Sequence, residues 1–334
     1  MIMNTRSDLM PRSMWRHRPD RGRRAFTLTE LLVVVGTLGI LAAVLLPALA
    51  GTQPAGVKAF QCLENTRRLT VAWQLYAGDN SDRLVYSSDD GTGSPYVTSM
   101  SGVHLNNNYA WTWSKMDFSG NNVYNWDPNA DIKLRPLWQY VKDLAVYKCP
   151  SDESQVTIGY LPSGYNGPYA IGSIVSRIRS YSMNFYIGGF GANPALGPGG
   201  SWGKYYPPYL KLTEFGNLGK SPGPDQTFVF IDERSDCINW GNFSTDMSGA
   251  ASPVNKTIPA LYQWNEDLPS SYHDQAASIS FADGHAEIHR WKVPNTYPSL
   301  VNNGSLLLNG ASKVVLAPYS QDVAWMQNVS ARPH

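Results

Sequence analysis

An uninterrupted apolar segment near the N-terminus constrains this sequence more than any other feature. Residues 31–50 read LLVVVGTLGILAAVLLPALA, without a charged side chain. About 20 apolar residues are what a helix needs to cross the hydrocarbon core of a membrane. Arg21, Arg23 and Arg24 precede the segment, and the positive-inside rule keeps such residues in the cytoplasm. The segment therefore predicts a single membrane-spanning helix with a cytoplasmic N-terminus and the rest of the chain outside the cytoplasm.

Ordinary export is the alternative interpretation of the same segment. A secretory signal peptide has a shorter apolar region that ends at a small-residue cleavage site, and Ala48-Leu49-Ala50 loosely fits that pattern. The two interpretations differ in the mature N-terminus, which lies near Gly51 only if the segment is removed.

Charge is distributed unevenly along the chain. Residues 1–25 carry seven arginines against Asp8 and Asp20, whereas the remaining residues carry 20 basic and 24 acidic side chains. The positive charge thus belongs to a short basic leader. Because the rest of the chain has neither a basic stripe nor a nucleic-acid-binding motif, we expect no nucleic-acid partner.

A break rich in Pro and Gly follows the apolar segment. Pro54 and Gly56 disfavour a continuous helix, and beyond them apolar residues recur at helical spacing as far as Gly78-Asp79-Asn80. The sequence therefore divides into a basic leader (1–25), a transmembrane and assembly helix (26–50), a stem helix (51–80) and a globular β-rich domain (81–334).

The C-terminal half contains a hairpin signal. Asp283-Gly284 is typical of a two-residue turn between antiparallel strands. Pairing about that turn sets Phe281 opposite Ala286 and Ile279 opposite Ile288. The apolar residues then share one face of the hairpin, and the opposite face carries the polar residues Ser278, Ser280, His285, Glu287 and His289.

The residues at the start of the apolar segment resemble a processing signal. Arg23-Arg24-Ala25-Phe26-Thr27-Leu28-Thr29-Glu30 resembles the signature of type IV prepilins and type II secretion pseudopilins, with Ala25 where the family usually has Gly. The resemblance implies that a prepilin peptidase cuts between Ala25 and Phe26 and that Phe26 is N-methylated. It also implies that Glu30 meets the N-terminal amine of a neighbouring subunit during assembly. The alternative role for Glu30 is to favour the helix N-terminus electrostatically.

A second resemblance lies near the hairpin. His273, nine further residues and Asp283-Gly284 resemble the C-terminal motif of a bacterial family of prepilin-type proteins related to G-type pseudopilins. Three other segments resemble that family: Lys148-Cys149-Pro150-Ser151-Asp152, Tyr181-Ser182-Met183-Asn184 and Phe230-Ile231-Asp232-Glu233. The resemblance implies an α+β, pilin-like fold, in which a long N-terminal transmembrane and stem helix packs on an antiparallel β-sheet with long loops.

Candidate metal ligands concentrate near the hairpin. Imidazole and carboxylate groups suit a divalent metal, and the candidates are His273, Asp283, His285, Glu287 and His289. The alternative is that Asp283 forms the turn and the histidines lie on a solvated face, so that no cofactor is bound. We also expect Asp232 to be buried and hydrogen-bonded to His273.

The three cysteines, Cys62, Cys149 and Cys237, are too few and too scattered for a zinc motif or a dense disulfide framework. In an oxidising compartment, Cys62 with Cys149 is the preferred disulfide pair.

These signals favour a structural protein and not an enzyme, because the sequence has no serine elbow, metalloprotease helix motif or phosphate-binding loop. The resemblance implies a pseudopilin subunit of a type II secretion or type IV pilus-like assembly. Its partners would be the prepilin peptidase, other pseudopilin subunits and the inner membrane, with the globular domain in the periplasm. The alternatives are a membrane-tethered module that binds polysaccharide through its aromatic loops and, third, a metal-dependent enzyme.

Overall fold

The computed structural model describes residues 27–38, 55–88, 96–98, 104–106, 109–112, 116–189, 206–216, 222–252, 255–301 and 314–331. The leader, the predicted cleavage site at Ala25 and Phe26, and residues 39–54 lie outside the described residues. The chain divides into two compact units, Met1–Gln53 and Pro54–His334.

In the first unit, a helix named α1 occupies residues 28–38 and reaches the edge of the described range. Thr27 and Glu30 form a capping box at its start. One carboxylate oxygen of Glu30 accepts hydrogen bonds from the Thr27 backbone N–H at 2.9 Å and from Thr27 Oγ1 at 2.8 Å. In return, the Glu30 backbone N–H donates to Thr27 Oγ1 at 3.2 Å. These bonds lower the pKa of Glu30, the backbone bond most strongly.

The structure does not support the predicted membrane anchor. Among the residues that the structure describes, no helix is long and apolar enough to cross a membrane. The predictions of a transmembrane helix and of a single-pass inner-membrane protein with a periplasmic domain are therefore wrong, and the predicted role in protein secretion has no support.

The second unit contains three more described helices and eleven strands. The helices are α2 (Ala55–Asp79), α3 (Trp138–Val141) and α4 (Gln321–Ser330). The strands are β1 (Tyr96–Thr98), β2 (His104–Asn106), β3 (Gln155–Thr157), β4 (Ile174–Ser176), β5 (Tyr181–Asn184), β6 (Phe228–Asp232), β7 (Asn242–Phe243), β8 (Gln263–Asn265), β9 (Ala276–Phe281), β10 (Ala286–Arg290) and β11 (Val314–Leu316). Short 3-10 helices cover Val123–Asn125, Ile132–Leu134, Leu144–Tyr147, Leu212–Glu214, Pro224–Gln226, Pro259–Leu261 and Pro294–Thr296.

The main sheet has five strands in the order β10-β9-β6-β5-β7. Its strands pair antiparallel except β5 and β7, which are parallel. Three two-stranded sheets, β1–β2, β3–β4 and β8–β11, accompany it. The predicted fold class, one long transmembrane and stem helix on an antiparallel sheet, is therefore wrong: the described chain is mixed α/β with sheets predominating. The helix on the sheet, α2, carries several charged and hydroxyl side chains and begins only after Pro54.

The helix α2 packs on β6, β9 and β10 of the main sheet. Its buried residues are Cys62, Thr66, Leu69, Thr70, Ala72, Trp73, Tyr76 and Ala77, which recur at the three- and four-residue spacing of one helix face. Two pairs of buried hydroxyl groups lie within this interface. Thr66 Oγ1 is 2.7 Å from Ser278 Oγ, and Thr70 Oγ1 is 2.6 Å from Ser280 Oγ.

The C-terminal hairpin forms between β9 and β10, but its register differs by one residue from the predicted one. Ser280 lies opposite Ala286 and Ile279 opposite Glu287. The loop has three residues, because Gly284 adopts a φ of +98° and Phe281 bonds to both His285 and Gly284. A turn followed by a left-handed glycine is typical of three-residue hairpins. The one-residue shift moves the side chains of β10 to the opposite face.

The second face of the main sheet is covered by α4 and by β8 and β11. Its core includes Phe228, Ile279, Phe281, Trp264, Trp291, Val323 and Met326. Because of the observed register, the hairpin histidines join this aromatic side and not the serine side. The His285 ring stacks on Phe281 at 4.3 Å between centroids, and the His289 ring stacks on Trp325 at 3.6 Å. Both faces of β6 and β9 are thus buried, since every residue of these strands is buried.

We expect the hydroxyl pair at the centre of the α2 interface to be energetically coupled. Thr70→Val and Ser280→Ala should each lower the free energy of unfolding by about 1–2 kcal/mol, because each removes the short hydroxyl–hydroxyl bond and leaves the other hydroxyl with only a backbone carbonyl as partner. The double variant should lose about 1 kcal/mol less than the sum of the two. Chemical denaturation of the four proteins measures this, and Val71→Thr on the exposed side of α2 serves as the control. Strict additivity would contradict the coupling.

Two glycine substitutions, one in the hairpin loop and one in α2, should have opposite effects on the stability of the protein. Gly284→Ala should destabilise the protein by about 1–2 kcal/mol, because a Cβ strains the backbone at positive φ. Gly78→Ala should stabilise it by about 0.5 kcal/mol, since Gly78 lies within α2 and no atom lies within 4 Å of the position that a Cβ would take there. Thermal or chemical unfolding measures both changes. Equal effects at the two sites would show that the turn does not require a glycine.

Candidate functional site

The predicted metal ligands separate into two groups. At the hairpin, Asp283 Oδ1 lies 2.6 Å from His285 Nδ1, and Glu287 Oε1 lies 3.0 Å from His289 Nδ1. The hydrogen bond from His289 lowers the pKa of Glu287. Each carboxylate thus pairs with one histidine. Within the described residues, these four side chains do not belong to any group of three or more converging ligands. The fifth candidate, His273, belongs to a different cluster.

That cluster consists of Cys62, Cys149, Asp232 and His273, hereafter the thiol cluster. One sulfur, nitrogen or oxygen atom of each residue lies within 4.8 Å of those of the other three. All four residues are buried. Four separate parts of the second unit supply them: α2, the segment after the 3-10 helix Leu144–Tyr147, the last residue of β6, and the loop before β9.

Three short distances define the thiol cluster. The Cys62 thiol donates to Asp232 Oδ2 at 3.3 Å, and Cys149 Sγ lies 3.3 Å from His273 Nε2. His273 Nε2 lies 3.5 Å from Asp232 Oδ2, so the expected burial of Asp232 beside His273 is found. Cys62 and Cys149, the preferred disulfide pair from the sequence, are both free thiols here. They meet within the same small volume.

Neighbouring groups hold the two thiols in place. The Tyr181 hydroxyl of β5 donates to Cys62 Sγ at 3.2 Å. The Cys149 backbone N–H donates to Ser180 Oγ at 2.6 Å. Asn65, one turn along α2 from Cys62, donates its side-chain N–H groups to the carbonyls of Ala145 and Lys148 at 3.0 and 3.1 Å. The hydrogen bonds of Asn65 therefore connect α2 to the segment that carries Cys149, beside the cluster.

Burial dominates the electrostatics of the thiol cluster. It raises the pKa of the Cys62 thiol well above its usual value, and it raises the pKa of Asp232 although the bond and charge of His273 oppose the rise. For His273, burial acts to lower the pKa, but hydrogen bonds with Asp232 and Cys149 outweigh it and raise the pKa to about 9. The protonated, imidazolium form of His273 is thus stabilised by Asp232 and Cys149.

One oxygen of the cluster has no hydrogen bond. Asp232 Oδ1 is buried and lacks a hydrogen-bond partner among the described residues, while Oδ2 contacts Cys62 and His273. A buried carboxylate oxygen without a partner costs about 1–3 kcal/mol or more, and such groups are rare in folded proteins. Other buried polar atoms of the second unit share this state, among them the hydroxyl of Ser270, a residue that acts to lower the pKa of Asp232.

A groove of about 550 Å³ leads to one edge of the cluster. Its lining includes Phe60, Asn65, Lys148, Cys149 and Asp152. Cys149 is thus both a member of the buried cluster and part of the wall of a surface groove.

Sequence reasoning named all four residues of the thiol cluster but did not group them. Positions 62, 149, 232 and 273 are too far apart for any metal-binding spacing. The available signal was that Cys149, Asp232 and His273 each lie in a segment that resembles the prepilin-type family. Cys62 lies in no such segment, and its only signal was its place within the predicted stem helix.

No known family model, curated protein or solved structure matches this chain. Its function is therefore inferred from the motifs of the first unit and from the geometry of the second.

Proposed function

We propose that this chain is a pilin-like structural subunit, cut between Ala25 and Phe26 by a prepilin peptidase and assembled with further copies through its N-terminal helix. The proposal rests on α1, a helix whose apolar side chains are exposed on all sides and whose first turn carries the carboxylate of Glu30. No catalytic role is proposed, since the thiol cluster is buried.

The exposed side chains of α1 favour helix-to-helix assembly. Seven apolar residues have exposed fractions from 45% to 76%: Leu28, Leu31, Leu32, Val33, Val34, Val35 and Leu38. Residues 31–35 are consecutive, and at about 100° per residue they surround the whole helix. A helix that is apolar all round is stable when it is buried among other elements. Identical helices from neighbouring copies supply such surroundings.

Glu30 is the second support for assembly. Its carboxylate is fully exposed, and its lowered pKa keeps it ionised. In the single chain this charge caps the helix through Thr27. After cleavage, the new N-terminal amine of Phe26 on a neighbouring copy is a cation that can pair with the carboxylate of Glu30. An apolar surrounding would strengthen the attraction between that amine and the carboxylate of Glu30.

The proposed role of the Glu30 charge is testable because the capping role can be separated from it. Glu30→Gln keeps a capping box, which accepts Gln at this position, but removes the charge. Glu30→Ala removes both, whereas Thr27→Ala keeps the charge and removes the cap hydroxyl. We expect both Glu30 variants to lower assembly of the full chain at least about tenfold, since a desolvated charge would lose its partner. Thr27→Ala should assemble within about twofold of the wild type.

Electron microscopy and sedimentation of the processed chain measure assembly, and mass spectrometry gives the mature N-terminus. The proposal expects an N-methylated Phe26. A mature N-terminus near Gly51 would contradict it, as would wild-type assembly by Glu30→Gln, which would leave Glu30 with a capping role alone.

A further inference from the structure

We propose that Cys62, Cys149, Asp232 and His273 bind one zinc ion, which fastens α2 to the main sheet. This inference concerns the second unit and is independent of the assembly proposed for α1.

The geometry of the thiol cluster fits a tetrahedral zinc site. Zinc binds sulfur at about 2.3 Å and imidazole or carboxylate at about 2.0–2.2 Å, so that ligand atoms of a tetrahedral site lie roughly 3.4–3.8 Å apart. The measured separations are 3.3 Å for Cys62 Sγ to Asp232 Oδ2, 3.3 Å for Cys149 Sγ to His273 Nε2, and 3.5 Å for His273 Nε2 to Asp232 Oδ2. These three separations lie within a few tenths of an ångström of the tetrahedral range, and all four ligand atoms lie within 4.8 Å of one another.

The donor set selects the kind of metal. Two thiolates and an imidazole suit zinc, whereas calcium and magnesium require oxygen ligands. Four protein ligands complete a tetrahedral site, as in structural zinc sites. The four ligands come from the helix, the sheet and two loops, so a bound ion would cross-link parts of the chain that are far apart in sequence.

Zinc binding is balanced by loss of protons. Cys62 and Cys149 bind as thiolates and His273 as a neutral imidazole, so zinc displaces protons from these groups. Asp232 binds as a carboxylate. With Zn²⁺, two thiolates and one carboxylate, the site carries one net negative charge, and the Tyr181 hydroxyl, 3.2 Å from Cys62 Sγ, donates to one of the thiolates. Such second contacts orient metal ligands.

Asp232 offers an ion a choice of oxygens. Its Oδ2 contacts Cys62 and His273, while its buried Oδ1 has no hydrogen bond among the described residues, and a carboxylate that turns toward a metal can engage either oxygen.

Metal analysis of the full-length chain tests the inference. The protein is purified under reducing conditions with added zinc, desalted, and analysed by inductively coupled plasma mass spectrometry. We expect about one zinc ion per chain in the wild type, and less than about one tenth of that in Cys149→Ser and in His273→Gln, because each loses a ligand of a four-coordinate site.

Two matched variants are the controls. Cys237→Ser removes the third buried cysteine, and His289→Gln removes a histidine that stacks on Trp325. Both lie outside the thiol cluster and should keep about one zinc ion per chain. If zinc falls equally in the control and ligand variants, the site lies elsewhere and the inference is wrong.

Measurements on the wild type keep the test valid if a ligand variant fails to fold. Replacing zinc by cobalt should give the charge-transfer absorption of thiolate-bound Co²⁺, and removing zinc with a chelator should lower the melting temperature. A wild type that takes up less than about 0.1 zinc ion per chain overturns the inference. So does a Cys62–Cys149 disulfide found by non-reducing peptide mapping after purification without reductant, if reduction does not restore zinc binding.

Discussion

The contact between α2 and β9 determines how the second unit is built. The strand presents serines and small side chains to the helix, and Thr66 and Thr70 meet Ser278 and Ser280 at 2.7 and 2.6 Å. Buried hydroxyl groups are costly unless they are paired. The two hydroxyl pairs therefore favour the observed register of α2 on β9, since a shift along either element would separate at least one pair.

The register of α2 on β9 determines the direction in which the other side chains of the hairpin point. Because the serines face α2, Ile279 and Phe281 point to the aromatic core on the other side of the sheet. The three-residue loop at Gly284 then brings His285 and His289 to the same side, where they stack on Phe281 and Trp325. Histidines that read as metal ligands in the sequence thus contribute to packing.

The same contact also places the thiol cluster. Cys62 lies one turn before Thr66 on α2, and its carbonyl oxygen lies 3.4 Å from Thr66 Oγ1 and 3.3 Å from Ser278 Oγ. Its thiol therefore sits against the end of β6, where Asp232 lies. The proposed zinc ion would extend an interface that hydroxyl pairs already hold together. A rigid second unit suits a structural subunit, whose assembly is proposed to depend on the separate helix α1.

The sequence by itself determined the local features: an amphipathic helix where α2 lies and a hairpin at Asp283-Gly284. Hydrophobic periodicity and turn residues act over a few neighbouring positions, so the sequence alone predicts the helix and the hairpin. Only the tertiary structure decided that the serine face of β9 is buried as well as its apolar face, because α2 supplies hydroxyl groups that match the serines. Only it brought together Cys62, Cys149, Asp232 and His273, since ligands from four separated segments leave no spacing pattern. Hydropathy measures only the apolar character of residues 31–50, and among the described residues no helix is long and apolar enough to cross a membrane.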